Sequence, residues 1–104
     1  MNHIELVRQV GEGSRQHYEP TGKFCLCDDE DLSDLLAKGT WRLNVNGYAV
    51  IRRRVDGQVR SIFAHQVVAR NMGLDLSGGR EVDHIDLNPL NNCRRNLRSA
   101  TKSR

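Results

Sequence analysis

The chain has 104 residues, 38% of them hydrophobic, and a formal net charge of +3. That length supports one domain with a single modest core, and no apolar run approaches the roughly 20 residues that would span a bilayer, so a membrane helix is excluded. The small net charge hides an asymmetry: residues 1–40 hold four Lys/Arg against eight Asp/Glu, whereas residues 41–104 hold twelve against five.

A basic C-terminal part points to a polyanion, most simply nucleic acid, with a merely solvated face as the plain alternative. The N-terminal segment has acids among its apolar residues and lacks a signal peptide's apolar stretch. The expectation is an intracellular, cytoplasmic protein.

In chain order, residues 1–21 contain Gly11, Gly13, Ser14 and Pro20 with few apolar anchors, which predicts a loosely ordered leader with a short helix over residues 4–10. Residues 22–104 form the single domain. Within it, residues 22–79 are expected as an antiparallel meander with short helices. Lys23-Phe24-Cys25-Leu26-Cys27 reads as a short strand. Asp28-Asp29-Glu30-Asp31 then supplies a helix N-cap and favourable charge in the first turn. Leu32, Leu35 and Leu36 recur at helical spacing, and Gly39 stands where that helix ends.

Residues 41–45 alternate as a strand, Asn46-Gly47 is a hairpin signal, residues 48–55 return, and Asp56-Gly57 turns the chain into residues 58–63. Arg52, Arg53 and Arg54 are consecutive, so alternate ones point to opposite faces of the strand, where they either meet phosphate or cap the sheet. Residues 64–72 carry Val67, Val68 and Met72 at helical intervals before Gly73. His65 opens this helix as a structural histidine or a ligand.

Three cysteines, Cys25, Cys27 and Cys93, make an odd set whose spacing differs from that of a zinc knuckle. Reduced, partly buried thiols are expected, and a zinc-stabilised interaction module is the competing reading.

The chemistry candidates lie in residues 81–104, EVDHIDLNPLNNCRRNLRSATKSR. Residues 81–86 read as a strand that breaks into a loop at Asn88-Pro89. In a regular strand Asp83 and His84 face opposite sides, so both reach one site only if the backbone bends. An ordinary histidine is largely neutral at pH 7 and can take a proton from a water. A neighbouring carboxylate can hold a divalent cation, which stabilises charge on a scissile phosphate. Asparagines such as Asn91 and Asn92 can pin the loop and orient the imidazole. Arg94, Arg95 and Arg98 carry guanidinium forks suited to phosphate. Together these residues read as a metal-assisted phosphodiesterase.

The stretch VDHIDLNPLNNCRRNLRSATKS resembles the signature of HNH endonucleases, in the phage and intron-associated, homing-type branch where asparagines replace the later histidines. Gly22-Lys23-Phe24, the acidic run, Leu35, Trp41 and Gly47-Tyr48-Ala49-Val50 are similar in order to the segment that precedes the motif in small proteins of this kind. The resemblance implies an α+β fold: a small antiparallel sheet with short helices, followed by a ββα-metal motif. Asp83 would be a metal ligand and His84 the general base. Asn96 would tie down the loop and orient His84, and residues 97–101 would form the second strand.

The cofactor implied is a divalent metal, Mg2+ or Mn2+. The partner implied is double-stranded DNA, held by Arg94, Arg95 and Arg98 with further backbone contacts from Arg52, Arg53 and Arg54. Two departures stand out: Gln66 follows His65 where Arg is common, and Cys93 interrupts the amide loop. The family's last motif residue, about nine positions beyond Asn96, falls one residue past Arg104. The expectation is therefore a truncated final helix whose first turn is residues 102–104. The alternative to an endonuclease is an inactive, HNH-derived nucleic-acid-binding or regulatory protein without that ligand.

Overall fold

The structure, a computed structural model, describes residues 1–11, 13 and 17–101. Its N-terminal segment corrects the sequence reading. In place of a loose leader with a helix over residues 4–10, β1 (Asn2–Val10) and β2 (His17–Cys27) pair antiparallel. Ile4, Val7 and Val10 stand three apart, as on a helix, but Leu6 is fully buried with Cys25 and Cys27. Ile4 pairs with Cys25 across the ladder and packs against the same core. Alternation at two residues therefore decides the element, because it buries Ile4 and Leu6 together.

The hairpin register shifts between Glu5↔Phe24 and Val7↔Pro20. Gly22 takes φ 73° in this irregularity. Thr21 Oγ1 donates to the Leu6 carbonyl at 2.8 Å and accepts from the Lys23 N–H at 3.0 Å, which satisfies backbone groups that the interrupted ladder leaves over.

Helix α1 (Asp29–Lys38) follows. Of its three leucines, Leu35 is fully buried and Leu32 packs against the core, but Leu36 faces outward. The buried indole of Trp41 donates to the Leu35 carbonyl at 2.8 Å, fixing the end of the helix against the sheet. The chain then forms β3 (Arg42–Leu43), shorter than the expected residues 41–45, followed by β4 (Ala49–Val55) and β5 (Gln58–Phe63). Asn44 ends β3 early, because its Oδ1 accepts from the N–H groups of Asn46 and Tyr48, each at 2.9 Å. This side-chain turn replaces ladder pairing.

The five strands form one sheet in the order β2-β1-β3-β4-β5. The expected antiparallel meander covers β3 to β5, but Val7 pairs with Arg42 in parallel, so the sheet is mixed. Helix α2 (Ala64–Asn71) buries Ala64, Val67, Val68 and Ala69. It packs on β4 and β5 and also on a second sheet made of β6 (Glu81–His84) and β7 (Leu97–Ala100). The architecture is α+β, with α2 joining the two sheets. The final-helix expectation for residues 102–104 lies outside the described residues.

The acidic run at the start of α1 does more than cap a helix. Asp28 holds the N-cap position without a side-chain cap bond; its Oδ2 instead accepts the Arg94 N–H at 2.8 Å. Asp31, fully buried, receives a bidentate pair from Arg94 Nε and Nη2, both at 2.9 Å, and a further hydrogen bond from Asn71 at 3.1 Å. The Arg94 hydrogen bonds hold the Asp31 carboxyl below the usual carboxylate range, against the opposing effect of burial.

A depressed carboxylate contributes stability above its unfolded value of about 3.9, and that contribution is lost as pH falls through the folded value. Asp31→Asn should therefore be less stable than the parent at pH 7, with the gap narrowing below about pH 4. Denaturant melts across pH check this, and a pH-independent gap would contradict it.

Candidate active site

Strand β6 ends at His84, and the chain turns at once: the Leu87 N–H donates to the His84 carbonyl at 3.0 Å, and Leu87 takes φ 66°. This bend answers the strand-alternation problem. Asp83 and His84 both line a cleft of about 330 Å3, with Tyr48, Leu87 and Pro89 among its other walls.

The imidazole is nearly buried, 8% exposed. Its Nε2 lies 2.8 Å from Asn92 Oδ1. The Asn92 amide nitrogen, in turn, donates to Cys25 Sγ at 3.2 Å, and Asn92 is fully buried. An amide that gives its N–H to sulfur presents its oxygen to the ring, so Nε2 must carry the proton. Nδ1 is then the unprotonated nitrogen, and it has no hydrogen-bond partner among the described residues.

The rest of the loop is held by backbone and amide bonds. Its edge lies on β2: the Leu26 N–H donates to the Leu90 carbonyl at 2.7 Å, and the Asn92 N–H donates to the Leu26 carbonyl at 2.9 Å. Asn96 holds the other end. Its Oδ1 accepts the Asp86 N–H at 3.0 Å, and its Nδ2 donates to Asp86 Oδ1 at 2.9 Å and to the Asn91 carbonyl at 2.8 Å. Asn91 Nδ2 adds a bond to Asp86 Oδ2 at 2.9 Å. These amide bonds, Asn91 foremost, hold the Asp86 carboxyl below its usual range.

Aromatic rings close the remaining side of His84. His65 meets it edge-on with ring centroids 5.3 Å apart, Tyr48 lies 6.3 Å away, and Phe63 stacks on His65 at 5.4 Å. Burial, with a smaller effect from the neighbouring His84, pushes the His65 imidazole down to about 4. A neutral His65 at pH 7 therefore adds no like charge beside the catalytic candidate.

Residues 63–104 match the family model described as HNH endonuclease. This part of the chain is similar to HNH endonucleases. No curated protein and no solved structure matches the chain. The matched segment runs from the end of β5 through α2, β6, the loop and β7, so it holds every residue of the cleft except Tyr48.

Within this matched segment the structure redistributes several expected roles. Asn96 ties the loop, but the contact to the imidazole, which the resemblance assigned to Asn96, comes from Asn92, one of the loop amides that the sequence also offered for orienting the ring. Arg94 is not available as a phosphate clamp: its guanidinium is held by Asp31, and Nη1 lies 3.3 Å from Glu30. Arg95 is exposed, and Arg98, also exposed, pairs through Nε with Asp83 Oδ2 at 2.7 Å. Arg52, Arg53 and Arg54 are exposed on β4.

Cys25, Cys27 and Cys93 are free thiols, all buried. Burial raises all three, Cys27 to about 12, so as free thiols they are protonated packing groups at neutral pH. Among the described residues no three His, Cys, Asp or Glu side chains gather to hold a metal ion.

Residues that sequence spacing could not connect to the site are Cys25, Tyr48 and His65. Each arrives from a different element, and only the fold brings them to His84. Asn96→Ala should destabilise the protein, because the loop loses three hydrogen bonds made by the nearly buried Asn96 side chain to the Asp86 N–H, the exposed Asp86 carboxylate and the Asn91 carbonyl. Denaturation measures the loss. Amide exchange at Asp86 should accelerate selectively, and unchanged exchange there would contradict the role assigned to Asn96.

Proposed function

We propose that the protein is a metal-dependent DNA endonuclease in which His84 is the general base and Asp83 a metal ligand. The observation that carries this reading is the His84 imidazole, held at Nε2 by a buried amide and set beside Asp83 in a cleft of the HNH segment. The match of residues 63–104 to the HNH endonuclease model supports a nuclease acting on nucleic acid, and HNH nucleases generally use a divalent metal. Asp83 is one hard oxygen donor. Mg2+ commonly takes one or two carboxylates, with waters and substrate phosphate completing its shell, so a single carboxylate at the cleft suits such an ion. When bound there, the cation would supply Lewis-acid stabilisation of charge developing on the phosphate.

The chain's own residues account for the remaining chemistry. His84 Nδ1 accepts a proton from a water, the water oxygen bonds to phosphorus, and the P–O bond to the departing sugar oxygen breaks as that oxygen takes a proton from solvent. Asn92 keeps Nε2 protonated throughout, which leaves Nδ1 as the nitrogen that can act. Arg98 would exchange its exposed contact with Asp83 for a phosphate oxygen. Such a surface ion pair is weak enough to yield, and Arg95 stands ready for a neighbouring phosphate.

Incubation of supercoiled plasmid with the protein and Mg2+ or Mn2+ should give nicked or linear DNA, and chelation should stop the reaction. His84→Ala should lower the rate by about 10²- to 10⁴-fold, the usual contribution of a positioned base. Cleavage that persists in chelator, or that His84→Ala leaves unchanged, would show that this site is not the source.

A further inference from the structure

Beyond residue 51 the β4–β5 hairpin leaves the core. Residues 52 to 61 are exposed without interruption, and they pair as Arg52↔Ser61, Arg53↔Arg60, Arg54↔Val59 and Val55↔Gln58. This two-stranded ribbon carries four arginines and one acid, Asp56, at its turn. Among the described residues none of the four arginines forms an ion pair. Arg53 reaches back to the Lys38 carbonyl, and Arg54 donates to the Gly57 carbonyl at 3.2 Å. Arg53 and Arg60 are directly opposed across the ladder, an arrangement of like charges that destabilises a strand pair in isolation. Arg52 and Arg54 occupy the other face. Cations thus cover both faces of a protruding ribbon, and a partner with negative charge on two sides complements them.

We infer that the β4–β5 ribbon is a groove-binding arm for B-form duplex DNA, with Arg52, Arg54 and Arg60 meeting phosphates on the two walls of the major groove. The inference rests on the nucleic-acid reading above but not on the catalytic step. A two-stranded ribbon fits the roughly 12 Å width of the B-DNA major groove, whose edges are lined by phosphates. The major groove of an A-form RNA duplex is too deep and narrow to admit it. Single strands are bound mainly by stacking on aromatic rings, and residues 52–61 contain none.

The ribbon also springs from the catalytic neighbourhood. Phe63, at the end of β5, stacks on His65, and His65 packs against His84. Its root therefore lies two ring contacts from the proposed general base, close enough for one duplex to engage both. Arg60, which the sequence did not single out, is placed in this group by its register with Arg53.

The test uses the full chain in chelator, so that cleavage does not intervene. Fluorescence anisotropy measures binding to a labelled 30-base-pair DNA duplex, to the same sequence as duplex RNA, and to single-stranded DNA, over a range of salt. The wild type should prefer duplex DNA. Each phosphate contact adds about 0.9 to the salt slope, so R52A/R54A/R60A should lower the slope by about two to three and weaken binding at least about tenfold. R52K/R54K/R60K, which keeps the charge and controls for folding, should retain most of the slope.

An unchanged slope in the alanine variant, equal binding of RNA or single strands, or no binding by the wild type would each overturn the arm. Plasmid nicking by the wild type, run in parallel with Mg2+, separates the two claims. Nicking with a ribbon-independent salt slope rejects the arm alone, whereas ribbon-dependent duplex binding without nicking rejects the nuclease reading and upholds the arm.

Discussion

One buried amide connects the two halves of this protein. Asn92 is fully enclosed, with its nitrogen on Cys25 of the N-terminal hairpin and its oxygen on His84 of the segment similar to HNH endonucleases. The adjoining backbone bonds to Leu26 make the loop an extra strand-like edge on β2, with Leu26 and Asn91 bridged in parallel. Fixing a loop of this length costs about 1–2 kcal/mol per residue in backbone entropy. The amide and backbone bonds offset that cost, and in doing so they set the tautomer of the imidazole. The N-terminal hairpin is consequently part of the site, although it contributes no residue to the cleft.

The same docking explains how the charges are divided. The acidic start of α1 takes Arg94 out of solvent and joins it to Asp28, Glu30 and Asp31. One arginine of the motif thus holds the domain together rather than meeting substrate. Removing either member would leave an ionic group without its partner in a partly buried setting. The cations that stay at the surface lie on the β4–β5 ribbon and along β7. The asymmetry between residues 1–40 and 41–104 is therefore partly internal neutralisation and partly an outward-facing surface.

Local signals in the sequence were strong where one element decides its own form. Asn46-Gly47, Asp56-Gly57 and the spacing of Val67 and Val68 placed β4, β5 and α2 to within a residue or two. Residues 81–86 read as a strand on which Asp83 and His84 reach one site only if the backbone bends, and the turn at Leu87 supplies that bend. What stayed illegible depended on partners distant in sequence. Strand β1 looked helical because Ile4, Val7 and Val10 satisfy a three-residue spacing, and only burial of Leu6 against the core selects the strand. The Arg94–Asp31 pair spans 63 residues, and its arginine is indistinguishable in sequence from a phosphate ligand. Asn92 and Asn96 are chemically equivalent in the sequence, so the division between holding the imidazole and holding the loop emerges only from the fold.

In the proposed nuclease, Asn92 holds His84 as the Nε2–H tautomer and thereby leaves Nδ1 to act as the base. Nitrogen-15 NMR of the histidine side chains, recorded at a pH high enough for the rings to be neutral, tests it directly, with Asn92→Ala as the comparison. A protonated Nε2 and a bare Nδ1 are expected for His84 in the parent, and a mixture of tautomers in the variant. A His84 ring protonated at Nδ1 in the parent, or a tautomer indifferent to Asn92, would contradict it.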